Sequence, residues 1–153
     1  MGVITSRPAL PGDYASLYEL HRLAFFEYVQ QTWGLSEDAF EADFRDEFGS
    51  TERHVLLMDG APVGSLVVEE HGDHLYLDYL AVHPQYQKRG IGTQVMEGLM
   101  AEARRRRLPL RLSVLNVNPA RRLYERLGFE ASGEDEFRIF MQFTPGAQPH
   151  AAD

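Results

Sequence analysis

The residues best suited to chemistry lie in QKRGIGT, residues 87–93. A Lys-Arg pair and two glycines stand there, between a strand-like run ending near His83 and a helical pattern starting near Ile91. Gly90 and Gly92 allow backbone conformations and close approaches that a Cβ forbids, and a helix start leaves several amide N–H groups without intrahelical partners. Amides at the positive end of a helix form an anion site, and Lys88 and Arg89 add charge suited to a pyrophosphate. The same glycines also suit a purely structural turn, so the pattern alone leaves both readings open. A dinucleotide fingerprint is excluded because its third glycine falls at Val95, and a P-loop because Gly-Lys-Ser/Thr is absent.

Asp78 is a second candidate. In YLDYLAV it puts a carboxylate inside an apolar strand, two residues before Leu80 and on the same nominal face. Such a group is costly unless paired or functional, so Asp78 is either a general base or an outward-facing or salt-bridged residue. Glu69 and Glu70, on the neighbouring strand, are second choices. His71 and His74 bracket a Gly-Asp turn without further ligands, and no metal is expected. Ser113 lacks the His–acid context of a nucleophile. With no cysteine, disulfides, thiolate metal sites and a cysteinyl acyl-enzyme are ruled out, and a reducing cytoplasm suits the chain.

The elements that must position these groups follow from pattern. The 153 residues suit one domain over 1–143, with a tail from Thr144 to 153 expected to be disordered. A short strand is expected at 2–7. Asp13 caps a helix to about Gln31 with Leu17, Leu20, Ala24 and Tyr28 on one face, and Ser36 caps another that carries Phe40, Phe44 and Phe48 and ends at Gly49. HVLLM, PVGSLVVEE and HLYLDYLAV form an antiparallel meander joined by Asp59-Gly60 and Gly72-Asp73. A helix from Ile91 to Arg107, with Ile91, Val95, Leu99 and Ala103 inward, then crosses over to a parallel strand, LRLSVLNV. Pro119 opens the helix PARRLYERL, and short strands near Phe129 and in EFRIFMQF complete the sheet. The class is mixed α/β.

A formal charge of -8 argues against broad adhesion to nucleic acid or an anionic membrane, and Arg104 to Arg107 read as cations complementing a helix C-terminus. No stretch is long and apolar enough to span a membrane.

LAVHPQYQKRGIGTQVMEGL resembles the coenzyme A-binding motif of the Gcn5-related N-acetyltransferase (GNAT) superfamily, with Gln87, Gly90 and Gly92 at its defining positions. NPARRLYERLGFE, about 25 residues later, resembles the second family motif. The resemblance implies a GNAT-like fold: a central mixed sheet with antiparallel N-terminal strands, a bulged strand splayed from its parallel neighbour, and about four helices. It implies acetyl-CoA as cosubstrate, its pyrophosphate on residues Gln87, Lys88, Arg89, Gly90, Ile91, Gly92 and Thr93, and its pantetheine arm along Leu80, Ala81 and Val82. The Leu80 region is then placed to polarise the thioester carbonyl.

Tyr124 fits the family's general acid, the packing role remaining open; a phenol can protonate the departing thiolate. Asn118 resembles a cofactor-contacting asparagine but lies six residues before Tyr124 where many members have seven, and an N-cap role competes. The family's acceptor cleft implies Tyr28, Trp33 and Glu37 as contacts for a cationic amine. The activity implied is direct transfer of acetyl to a primary amine in a ternary complex; the alternative is a non-catalytic acyl-CoA-binding module of the same fold. Exposed late strands would give a homodimer its contact edge.

Overall fold

Aspartate and glycine at residues 59 and 60 both take left-handed backbone, φ 51° and 87°, and this tight turn lays the strand after it back on the strand before it. The structure, a computed structural model, describes residues 2–146. Chain order is β1 (Ile4–Pro8), α1 (Tyr14–Trp33), α2 (Glu37–Ser50), β2 (His54–Met58), β3 (Ala61–Glu70), β4 (Leu75–Val82), α3 (Ile91–Arg106), β5 (Leu110–Leu115), α4 (Arg121–Leu127), β6 (Glu130–Glu134) and β7 (Arg138–Phe143). One mixed sheet runs β1-β2-β3-β4-β5-β7-β6. Single 3-10 turns at Pro11–Asp13 and Pro84–Tyr86 are additions to the sequence reading. The expected tail falls mostly on 147–153, outside the described residues.

The chain divides into two compact units. One holds the residues up to Val67 with Tyr79–Gly92, the other Val68–Asp78 with the residues from Thr93 on. Passage from one to the other occurs inside β3, β4 and α3.

In the first unit, Ser36 caps α2 by accepting from the Ala39 amide at 3.2 Å, and Gly49 lies inside a helix that runs one residue further, to Ser50. Asp13 begins α1 differently from the expectation. Its carboxylate makes no bond into the helix; it accepts from Arg7 at 2.9 and 3.0 Å and from the Leu10 amide at 2.7 Å, which tie it to β1 and the preceding turn. Leu17, Leu20, Phe44, Val55 and Ala81 form the buried cluster beneath the helices.

Inside this apolar layer sits an unexpected polar group. His21 stacks on Phe40 and Phe44, with centroids 4.6 and 4.5 Å away, and its Nδ1 pairs with the Tyr79 hydroxyl at 2.9 Å. Arg53, 4% exposed, lies over the Tyr79 ring at 4.2 Å and the Phe44 ring at 4.9 Å. Its Nε and Nη1 have no hydrogen-bond partner, so the π faces supply part of the missing solvation. Burial, reinforced by the Arg53 charge, pushes the His21 imidazole down to about 3, and burial raises the Tyr79 phenol.

In the second unit β4 pairs parallel with β5 through Leu75↔Leu110 and Tyr76↔Arg111, with α3 as the crossover. β7 lies between β5 and β6, pairing antiparallel with both. Ile91, Met96, Met100 and Ala103 are the buried residues of α3, while Val95 and Leu99 are half-buried; the inward stripe is rotated from the expected one towards the methionines. α4 begins at Arg121, two residues later than Pro119, because Asn118 and Pro119 form the turn ahead of it. The Arg104–Arg107 run is structurally engaged: Arg105 pairs with Glu102, Arg106 reaches Glu70 at 3.1 Å, and Arg104 lies over Phe143.

The depressed His21 pKa sets an acid limit. Folding favours the neutral ring, so the unfolded chain binds more protons between pH 6.5 and about 3. This contribution is complete above pH 6.5 and is lost as pH falls through that window, with a slope of at most about 1.4 kcal/mol per pH unit. Urea unfolding across the window should show a flatter profile for His21→Phe than for the unaltered protein.

Candidate functional site

Pro84 ends the ladder pattern of β4, and the chain turns in a single 3-10 turn before α3. His83 caps that turn: its Nδ1 accepts from the Gln85 amide at 3.1 Å. The Gln87 side chain reaches back and donates from Nε2 to the Val82 carbonyl at 3.0 Å. Gln87 is thus the tie between turn and strand. Lys88 takes φ 64° and Gly90 φ 80°; a left-handed lysine is strained, whereas Gly90 adopts the same region without cost. Gly92 needs no such freedom and lies in the first turn of α3. Residues 87–90 are exposed, and the Arg89 guanidinium lies 5.3 Å over the Tyr86 ring. An exposed glycine turn, two cations and the amide end of a 16-residue helix fit a diphosphate.

The adjoining part of β4 has its backbone groups sorted by edge. The His83 amide donates to the Val63 carbonyl at 2.8 Å, and the Ala81 carbonyl abuts Gly64, so both face β3. Successive residues of a strand direct their N–H and C=O groups to opposite edges. The Leu80 and Val82 amides therefore point away from β3, as does the Val82 carbonyl that Gln87 caps. Ala81 turns its side chain into the buried cluster. The register shift recorded in this region is between Leu56 and Leu57 of β2, where β3 carries the extra residue.

Asp78 lies on the face of β4 opposite Leu77 and is exposed, so the burial cost inferred from its apolar neighbours does not arise. Tyr124, 7% exposed on α4, has its ring edge on Phe129 at 5.8 Å. Burial pushes its phenol up to about 12, so it stays protonated through the physiological range. The Asn118 carboxamide oxygen accepts from the Ala120 amide at 2.9 Å, an Asx-type turn before α4 rather than a bond into the helix. Tyr28 is half-buried near the end of α1, and Trp33 is 40% exposed at its last residue. Glu37 opens α2 and stands 4.0 Å from Arg22.

Leu80 to Gly92, with Tyr28, Trp33 and Glu37, belong to the first unit; Asp78, Thr93, Asn118 and Tyr124 belong to the second. Sequence reading missed Arg53, His21 and Gly64. A period of two counted back from Val55 puts Arg53 on the buried face of β2, a signal that was available; the pairing of His21 with Tyr79 spans 58 positions and had none. No cluster of three or more metal-ligating side chains occurs among the described residues, and no described helix is long and apolar enough to cross a membrane.

Residues 14–129 match the Acetyltransferase (GNAT) family. The chain is 30% identical to the thialysine N-epsilon-acetyltransferase of Bos taurus, over 89% of each chain, and 26% identical to the 5-NmdU N-acetyltransferase of Pseudomonas phage PaMx11, over 86% of this chain and 91% of the phage protein. Its fold superposes with a TM-score of 0.71, at 19% identity, on the PaiA N-acetyltransferase of Thermoplasma acidophilum solved in complex with coenzyme A, covering 93% of this chain and 99% of that one. A match across three quarters of the sequence, with the sheet order to go with it, makes this chain a member of the GNAT family, an acetyl-CoA-dependent N-acetyltransferase.

Proposed function

We propose that the protein transfers acetyl from acetyl-CoA to a primary amine by direct attack in a ternary complex. The observation that supports this most directly is the turn at 87–90, tied to β4 by Gln87 and strained at Lys88 ahead of α3. In this reading the amides from Gln87 to Thr93 hold the diphosphate, with Lys88 and Arg89 supplying charge, and Leu80, Ala81 and Val82 present backbone to the pantetheine arm. Asn118 adds a contact to the same cosubstrate. The Leu80 amide polarises the thioester carbonyl, a role that fits its direction away from β3.

An amine of pKa near 10 must lose a proton before it attacks, and Asp78, exposed and two residues from Leu80, takes that proton directly or through water. Tyr124 returns a proton to the departing thiolate; a phenol held near 12 remains loaded at any pH at which the amine is reactive. The acceptor is cationic with an apolar portion, and Tyr28, Trp33 and Glu37 contact it. The Bos taurus relative is by name an acetyltransferase of the thialysine N-epsilon amine, which favours a small-molecule amine here. The enzyme works in the cytoplasm without nucleic acid or membrane as partner, in keeping with its charge of -8, and the exposed β6 strand gives it an edge for a homodimer.

An acceptor screen with acetyl-CoA, reading released thiol over lysine analogues, polyamines, aminoglycosides and N-terminal peptides, tests the activity; thiol release with none of them leaves a CoA-binding module. With a productive amine, double-reciprocal plots should intersect, and parallel lines would remove the ternary complex. Tyr124→Phe is expected to lower kcat by about 10²-fold while calorimetric CoA affinity is unchanged; turnover equal to the unaltered protein removes the assigned acid. Gly90→Ala, which forces a Cβ into φ 80°, should weaken CoA binding at least about tenfold by calorimetry, with the melting temperature of the free protein lowered by only a few degrees.

A further inference from the structure

Gly64 occupies the interior of β3, buried, where a β-branched residue is the usual occupant. Its backbone is not left-handed, so conformational freedom is not the reason for a glycine there. A Cβ at this position would lie 2.3 Å from the Ala81 carbonyl oxygen and 3.3 Å from Leu56 Cδ1. A leucine methyl can yield a few tenths of an ångström; a backbone oxygen of an ordered strand cannot. A glycine inside a strand marks a close backbone approach, and here the approaching backbone is β4.

The neighbouring geometry points to the same place. β3 carries one extra residue, Val63, against β2 at this level, since Leu56 pairs with Gly64 and Leu57 with Pro62, and the carbonyl of that same Val63 accepts from the His83 amide. The 81–83 stretch is thereby received by Val63 and Gly64 as a pair. On the helix side, the Ala81 methyl is buried with Leu17 and Leu20, and the Tyr79 hydroxyl is held by His21. The end of β4 and the residue after it are gripped at positions 79, 81 and 83, the alternate positions to 80 and 82.

We propose that Gly64 is a positioning residue for acetyl transfer: its missing side chain seats the Ala81 carbonyl against β3 and so aims the Leu80 and Val82 amides at the thioester and pantetheine arm. This rests on the reading of β4 given under Proposed function. A Cβ at 64 pushes the 81–82 peptide away from β3, and a displacement near 1 Å at a group that orients a substrate is worth up to about 10²-fold.

The test measures CoA affinity by calorimetry and melting temperature for the unaltered protein, Gly64→Ala, Gly64→Ala/Leu56→Ala, and Val67→Ala, which removes two methyls from a residue 1% exposed on the same strand. Gly64→Ala should bind CoA at least about tenfold more weakly. The double variant should not recover, because the obstructing atom is backbone. Val67→Ala should keep its affinity despite a lower melting temperature. A folded Gly64→Ala within about twofold of the unaltered affinity overturns the proposal, and so does recovery in the double variant, which assigns the loss to side-chain packing.

Should Gly64→Ala not fold, amide hydrogen exchange on the unaltered protein decides. The Val82 amide should exchange rapidly without CoA and at least about tenfold more slowly with it, whereas the His83 amide, bonded to Val63, should be slow in both. Equal protection of Val82 in both states overturns the proposal. An unaltered protein that gives no heat with CoA removes the CoA site itself, an outcome distinct from intact binding that is indifferent to residue 64.

Discussion

A strand has two edges, and what β4 can offer a ligand depends on how completely one of them is committed. At its C-terminal end the commitment is made by main-chain groups alone: the His83 amide on the Val63 carbonyl, and the Ala81 carbonyl packed against a residue without a side chain. Once those groups are fixed, the direction of the Leu80 and Val82 amides follows from the alternation of the backbone and needs no further device. Polar side chains that orient a substrate must themselves be held in one rotamer, whereas a peptide plane locked in a sheet is already immobile. That difference suits backbone amides to stabilising charge that appears only briefly in a reaction.

The helices beneath β4 serve the same end. His21 and Arg53 are polar residues in a mostly aromatic layer, and each is expensive there: burial holds the imidazole in its neutral form, and the guanidinium is buried with Nε and Nη1 unbonded. What the pair secures is Tyr79, whose ring lies under Arg53 and whose hydroxyl meets His21. An apolar residue at 79 could pack as densely, but it would have no directional contact to fix where along α1 the strand comes to rest. The polar layer therefore contributes register more than stability, and it does so one residue from Leu80.

Much of this was readable in advance. β2, β3 and β4 were legible almost to the residue, since strand-like runs bounded by Asp-Gly or Gly-Asp turns have few competing interpretations. Ser36 and the phenylalanines of α2 were legible because caps and four-residue spacings are local. Asp13 was misread because Arg7 and the Leu10 amide, not the helix amides, hold its carboxylate. The inward stripe of α3 shifted because methionine fills space as well as valine or leucine does, and pattern alone cannot rank them. For Asp78 the sequence left a buried and an outward-facing carboxylate open, because a strand face is decided by what covers it, and the residue proves exposed. Gly64 was silent for a deeper reason: a glycine in a strand announces a close approach without saying which backbone approaches.

The electrostatics of α3 bind these observations to the chemistry. Its C-terminal turn carries Arg104, Arg105 and Arg106, where cations are stabilised by the helix dipole. Its N-terminal turn has no acidic residue, although that is where acids are favoured, and the two residues that precede Gly90 are Lys88 and Arg89. Two cations at the positive end of a dipole cost on the order of 0.3–1 kcal/mol each, and Lys88 adds the strain of a left-handed backbone. A sequence with 23 acidic residues had ample means to place one of them there. The arrangement is unfavourable for the protein by itself, and under the proposed reading the diphosphate of the cosubstrate offsets it by neutralising both the helix terminus and the cations.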